Sequence, residues 1–384
     1  MQFEFATAPR IIFGPNSSKD IPDLAATLGT SVCLVIGSSS KRVQWAIDGL
    51  KNKGLTPHII SISGEPNVET ISQNAVAARQ AGCDVVVAVG GGSVLDAGKA
   101  LAALLTNHAD LLDYLEVIGK GQPLTQIPVP LIAVPTTSGT GSEVTSNAVI
   151  LSPQHGVKVS MRSSEMIPNI AVVDPELTKD MPPSLTAATG MDALTQLMEA
   201  FVSNKANPMT DALCREGMLR AARSLHVAYD DGSNSSARED MALASLFSGI
   251  ALSNAKLGAV HGFAAPLGGE FKAPHGAVCA ALLPSVMEIN INALRKREPK
   301  SPSLDAYTET AVILTGNVNA TPEDGIKWVR ELCTDMRIPT LKDMGVETTH
   351  FSDLADKAAA ASSMKGNPVL LSKTELTGIL TLAL

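Results

Sequence analysis

Short apolar bursts alternate with longer stretches of helical spacing through the first half of the chain. Ser31–Gly37, Pro57–Ile62, Asp84–Gly90 and Pro130–Pro135 are runs of β-branched and aliphatic residues ending in Gly, Ser or Pro. Continuous runs, as opposed to strict alternation, describe strands covered on both faces. Between them lie amphipathic segments such as Val68–Ala81, whose apolar residues recur near helical spacing. Such strand–helix repetition predicts a parallel sheet flanked by helices. The opening segment Phe3–Gly14 is expected to form a hairpin ahead of that sheet.

The pattern changes after Pro182-Pro183. From Ser184 onward helical patterns dominate, broken by polar stretches such as Asp230–Ser236. Glu239–Leu257 is almost uniformly apolar or small, as a buried central helix requires. The chain therefore divides into an α/β domain with a Rossmann-like parallel sheet over residues 1–183 and an all-α domain over 184–384. A length of 384 residues, long for one core, agrees with two domains.

Charge and cysteine usage narrow the partners. A net charge of −8, with no basic run, leaves nothing to neutralise phosphates, so nucleic acid is not expected. The scattered cysteines Cys33, Cys83, Cys214, Cys279 and Cys333 form no CxxC pair, and most lie in apolar stretches, where a thiol behaves as a small hydrophobe. A reducing compartment follows. The start, MQFEFATAPR, has no signal-peptide character, and no apolar segment is expected to reach the roughly 18–20 residues that span a bilayer. A soluble cytoplasmic protein, without a membrane partner, is the expectation.

Two segments suit an anionic ligand. Asp84–Gly90 runs into Gly90-Gly91-Gly92-Ser93 and then into the helical pattern Val94–Leu105. A strand, a glycine turn and a helix N-terminus in that order aim free amides and the helix dipole at a phosphate. Ser93 is expected to cap the helix. One or two glycines suffice for a plain tight turn; three followed by Ser favour phosphate binding, although the pattern is not GxGxxG. The second segment, Pro135–Glu143 (PTTSGTGSE), is dense in hydroxyls and glycine after a strand. It reads equally as a polar loop or as a lining for ribose and nicotinamide.

Asp192 lies in the helical pattern Thr186–Val202, and His261 and His275 stand 14 residues apart further on. One carboxylate and two imidazoles suit a catalytic divalent metal with a coordination position left open. Spacing alone does not join Asp192 to the histidines. His58, His108, His155, His226 and His350 carry no motif.

Six blocks together resemble the iron-containing (group III) alcohol dehydrogenases. They are RIIFGPNS (10–17), GGGSVLDAGKA (90–100), PTTSGTGSEVT (135–145), TGMDAL (189–194), HGFAAPLGGEFKAPHG (261–276) and GNPVLLSKTELTGILTLAL (366–384). They occur in the family's order and span nearly the whole chain. The resemblance implies the dehydroquinate-synthase-like fold of that family, an NAD or NADP cofactor, a divalent metal (Fe2+ or Zn2+), a small alcohol or aldehyde substrate, and a homodimer. It implies that Asp192, His261 and His275 are catalytic metal ligands. Gly91, Gly92 and Ser93 would hold the pyrophosphate, with Thr136, Thr137, Ser142, Asn67, Lys158 and Leu177 as further cofactor contacts.

Two positions depart from the family. Its fourth metal ligand is ordinarily a His four residues after the Asp, where this chain has Gln196. An amide oxygen is a poorer ligand for a borderline metal, so Gln196 is expected either as a weak fourth ligand or turned away. Ala265 stands where the family usually has a histidine near the nicotinamide. Many NAD-preferring relatives also carry an Asp after the first strand; here Ser38 lies there, followed by Ser39, Ser40, Lys41 and Arg42. NADP is then expected to be accepted, unless Lys41 and Arg42 merely begin a solvated helix. The alternatives are a maleylacetate-reductase-like enzyme for an acidic substrate, or a cofactor-binding chain with weak or no dehydrogenase activity.

Overall fold

In the computed structural model, which describes residues 2–271 and 273–384, the apolar bursts form one parallel sheet. Its strands are β1 (Arg10–Phe13), β2 (Val32–Ile36), β3 (His58–Ser61), β4 (Val85–Gly90), β5 (Leu131–Pro135) and, after an antiparallel pair of β6 (Asn147–Ser152) and β7 (Val157–Arg162), β8 (Ile170–Val173). The order across the sheet is β1-β8-β5-β4-β2-β3. Helices α1 (Ile21–Leu28), α2 (Gln44–Asn52), α3 (Val68–Gln80) and α4 (Gly92–Thr106) cover it, with a short turn of helix, α5 (Leu111–Tyr114). Two apolar layers result, one around β2, β4 and α4, the other joining α1 and α2 to the sheet's second face. The central strands β2, β4 and β5 are buried along their whole length, which is why they read as unbroken apolar runs.

The opening residues make no hairpin. Phe3–Pro9 forms no strand, and β1 pairs in parallel with β8, from Arg10↔Ile170 to Phe13↔Val173. A strand that enters from the far end of the sequence leaves no local signal of its partner.

Chain order reverses between β2 and β4: the chain leaves β2 for β3 at the sheet edge, then returns past β2 to β4. In open parallel sheets, ligands bind beyond the carboxyl ends of the strands at such a reversal. Register places Ile36 beside Val89 and Gly90 beside Pro135, so Ser38, Gly91 and Thr136 leave the sheet from adjacent strand ends.

The other compact unit is helical and holds Lys179–Leu384, the residues before Thr7, and the short segment Ser138–Thr140. The division at Thr178/Lys179 precedes the boundary of 183/184 read from the sequence. The helices are α6 (Pro183–Val202), α7 (Pro208–Asp230), α8 (Ser235–Ala255), α9 (Ala259–Glu270), α10 (His275–Arg297), α11 (Pro302–Thr315), α12 (Pro322–Asp335), α13 (Phe351–Ala360) and α14 (Lys373–Ala383). They enclose one apolar core. Contrary to the sequence expectation, α10 is long and apolar enough by composition to cross a bilayer, but most of it is buried among its neighbours. Proline at the first position of α6, α7, α11 and α12 starts those helices with its φ already set.

Candidate metal centre and cofactor loop

Three helices bring the candidate ligands together. Asp192 lies midway along α6, with Gln196 one turn later and Glu199 nearly a turn beyond, all buried. His261 is in the first turn of α9, and His275 opens α10. His261 Nε2 is 3.3 Å and His275 Nε2 3.6 Å from Asp192 Oδ1. The approach depends on Gly276: a Cβ there would lie 2.1 Å from the carbonyl oxygen of Ala188 on α6. A bare α-carbon is what lets the start of α10 lie against α6.

A fourth group joins them that the sequence reading left among the structural thiols. Cys279, one helical turn after His275, places Sγ 3.7 Å from His275 Nε2 and 3.8 Å from His261 Nε2. Donor atoms of Asp192, His261, His275 and Cys279 all lie within 4.8 Å of one another. The i, i+4 spacing of His275 and Cys279 was the available signal.

Glu199 orients the site. The first amides of a helix have no partner within it. In α9 they are met by Glu199, whose carboxylate accepts from Val260 N at 2.7 Å and His261 N at 3.4 Å, and by Asn367 Oδ1, which accepts from Ala259 N at 3.1 Å. The same carboxylate lies 2.6 Å from His261 Nδ1. Nδ1 thus faces Glu199 and Nε2 faces the cluster; burial pushes this imidazole down, but Cys279, Asp192 and Glu199 outweigh it and raise it well above the ordinary histidine range.

Gln196 does not turn its oxygen to the cluster. Its Oε1 lies 3.0 Å from the hydroxyl of Ser248 on α8, and its side chain, one turn after Asp192, helps hold that carboxyl down. Of the two expectations for Gln196, a weak fourth ligand or a side chain turned away, this placement corresponds to the second, as suits an amide oxygen that is a poor ligand for a borderline metal. Burial pushes the Asp192 carboxyl up, but the His275 and His261 imidazoles and the Gln196 amide outweigh it and hold it below the usual carboxylate range. Burial likewise pushes the Cys279 thiol up, and the two imidazoles outweigh that and hold it down. His275 is drawn up to about 9, first by Cys279 and also by Asp192. The His275 side chain is 42% exposed against 3% for Asp192, so the cluster opens to solvent on the His275 side.

The glycine turn has the predicted form. Gly91 precedes α4, and Gly91, Gly92 and Ser93 are each partly accessible. Ser93 is inside the first turn and does not cap; Gly91 is the cap, without a side-chain bond. The amides of Gly92 and Ser93 are thus among the orphan donors at the start of a 15-residue helix. Thr136 follows β5, its amide bonded to Gly90 O at 2.9 Å, and the side chain of Thr137 packs beside Gly91.

The remaining expected cofactor residues are spread more widely. Ser38 is exposed just past β2. Ser142 is buried, its hydroxyl 2.6 Å from Asp96 Oδ1 and its carbonyl accepting from Lys99 Nζ at 3.0 Å. Asn67 caps α3 through Thr70 N, Lys158 pairs with Glu65, and Leu177 packs on the sheet core. Ser138, which the sequence reading passed over, buries a hydroxyl with no hydrogen-bond partner in the protein. Ala265, one turn after His261 on α9, is exposed.

Comparison with known proteins identifies the family. Residues 8–175 match the iron-containing alcohol dehydrogenase family, and residues 186–384 match the C-terminal part of the Fe-containing alcohol dehydrogenase family. The chain belongs to the iron-containing alcohol dehydrogenase family. It is 33% identical to 1,3-propanediol dehydrogenase of Klebsiella pneumoniae over 98% of this chain and 97% of that one. It is 34% identical to NADPH-dependent butanol dehydrogenase of Clostridium saccharobutylicum over 97% and 96%. The crystal structure of a 1,3-propanediol oxidoreductase covers the whole chain and is itself wholly covered, with a TM-score of 0.93 and 33% identity. This dehydrogenase is accordingly a metal-dependent oxidoreductase that moves a hydride between a nicotinamide cofactor and a small alcohol or its carbonyl product.

Its residues fit both groups. Tetrahedral ligands at 2.0–2.1 Å from an ion stand about 3.3–3.4 Å apart, and a thiolate with an imidazole about 3.6 Å. Four of the separations here, 3.3–3.8 Å, lie near that spacing and outside the 2.7–3.2 Å of ordinary hydrogen bonds, and all the donor atoms lie within 4.8 Å of one another. For the nicotinamide cofactor, the glycine turn supplies unencumbered amides at the start of a 15-residue helix.

Proposed function

We propose that Asp192, His261 and His275 hold the divalent ion of this dehydrogenase, and that Gly91, Gly92 and Ser93 hold the pyrophosphate of its cofactor. Short-chain alcohols and aldehydes are the substrates, as the names of the propanediol and butanol dehydrogenase relatives support. The observation that carries the reading is the convergence of one buried carboxylate and two imidazoles from α6, α9 and α10. When bound, the ion supplies the Lewis acid that lowers the pKa of an alcohol and polarises a carbonyl.

The chain's own residues do the rest. Glu199 orients His261 through Nδ1, and Gln196 braces Asp192. The turn before α4 fixes the cofactor through amides and helix dipole, leaving the reaction itself to the nicotinamide. With Ala265 in place of the usual histidine, the alcohol proton leaves through water on the exposed His275 side. Thr136 and Thr137 line the cofactor beside the turn, and Ser142 positions α4 through Asp96. No acid follows β2, while Ser38, Lys41 and Arg42 are exposed there, which supports use of NADPH.

The same reading places the enzyme in the cytoplasm, supported by five unpaired thiols, and takes it as a homodimer on the family resemblance. Asp192→Ala tests the metal assignment: turnover is abolished while NADPH binding, followed by its fluorescence, persists. Survival of activity in this variant rejects the assignment.

A further inference from the structure

A buried cysteine is ordinarily a small hydrophobe. Cys214 fits that description, completely buried in the helical core. Cys279 does not: its sulfur faces the ring nitrogens of His261 and His275 at 3.8 and 3.7 Å. Its position is fixed by the element that fixes His275, since the two lie one turn apart on α10. The residue at the usual fourth-ligand position, Gln196, has its oxygen beside Ser248. Among the described residues, no second cluster of His, Cys, Asp and Glu offers such convergence.

We propose that Cys279 is the fourth protein ligand of the metal ion, taking the place left by the missing histidine at 196. The proposal rests on Asp192, His261 and His275 being the other three. A thiolate changes the character of the site. Asp192 and Cys279 together carry two negative charges, which balance a divalent ion among uncharged imidazoles; a carboxylate with three imidazoles leaves one positive charge over. Charge balance favours retention of the ion in a buried centre, and the soft sulfur tilts the choice from iron toward zinc. Gln196 then serves as a positioning residue that holds Asp192, and no imidazole is needed on α6.

Cobalt(II) reports the ligands directly, because thiolate coordination adds an intense near-ultraviolet charge-transfer band to its visible bands. Full-length metal-free protein is titrated with cobalt(II) alongside Cys279→Ser, Cys279→Ala and, as a control, Cys333→Ser. We expect one cobalt per chain, with the charge-transfer band in the wild type and the Cys333 variant. Both Cys279 variants should lose that band while keeping visible bands, and their zinc dissociation constants should rise at least about 10-fold. Visible bands without the charge-transfer band in the wild type overturn the thiolate and leave the three-ligand reading standing. A charge-transfer band that survives in the Cys279 variants overturns it equally. If wild-type protein takes up no cobalt, the three-ligand reading fails and this proposal with it. The wild-type spectrum decides even where a variant fails to fold.

Discussion

The Glu199 carboxylate lies 2.6 Å from His261 Nδ1 and accepts from the amide of Val260 at 2.7 Å. One side chain of α6 thus closes the N-terminus of α9 and orients a metal ligand. Glu199→Gln keeps the volume but loses the charge and the second acceptor oxygen. Zinc affinity should fall about 10–100-fold, with a loss in kcat larger than any change in KM. Competition against a chromophoric chelator reads the first quantity. Thermal unfolding of the metal-free variant separates it from the cost of an uncapped helix, about 1–3 kcal/mol for an unmet buried amide.

Gly276→Ala sets a methyl group against the Ala188 carbonyl oxygen, 2.1 Å from the ideal Cβ position. Both contacting groups belong to helices, so α10 shifts against α6 and carries His275 with it. The expected result is a loss of about 1–3 kcal/mol in denaturant unfolding and a fall in metal content by elemental analysis. Full metal occupancy in a stably folded variant contradicts this packing.

Glu143 is buried beside the cation of Lys99. Burial pushes its carboxyl up to about 7, against the opposing pull of its own backbone amide and of Lys99. The native state therefore retains this proton up to about pH 7, whereas the unfolded chain releases it near 4.5. The unfolded state binds fewer protons between those values, so this group's contribution to stability declines as pH rises from 4.5 to 7 and is level above. Glu143→Gln should remove that decline and gain up to about 3 kcal/mol at pH 8. Urea unfolding of both proteins across that range provides the check; parallel pH profiles contradict it.

Lys41 and Arg42 are exposed in the turn that follows β2. Their double replacement by alanine should lower kcat/KM for NADPH about 10-fold, the scale of one lost phosphate contact of about 1–2 kcal/mol, and leave NADH little changed. An equal effect on both cofactors contradicts a role in reading the 2'-phosphate.

The sheet was legible because β2, β4 and β5 are covered on both faces, so their burial is written as unbroken apolar runs. The ends of the sheet were not. β1 is four residues long and finds β8 across most of the domain, a pairing no local pattern encodes. β6 and β7 alternate buried with half-exposed positions and lie apart from the main sheet. At the metal centre, Asp192 and the two histidines were named from the blocks that carry the family resemblance. Cys279 escaped notice because a thiol in an apolar helix looks like core, although its spacing from His275 placed both on one face. Glu199 escaped because its role depends on where α9 begins, which only tertiary packing fixes.

The account stands on a shared ion at Asp192, His261 and His275. Anomalous diffraction at the zinc edge, from crystals of the zinc-loaded enzyme, tests it most directly. It predicts one strong peak per chain within bonding distance of Asp192 Oδ1 and the Nε2 atoms of His261 and His275. A zinc peak bonded elsewhere, or none at those three atoms in fully loaded protein, would contradict it.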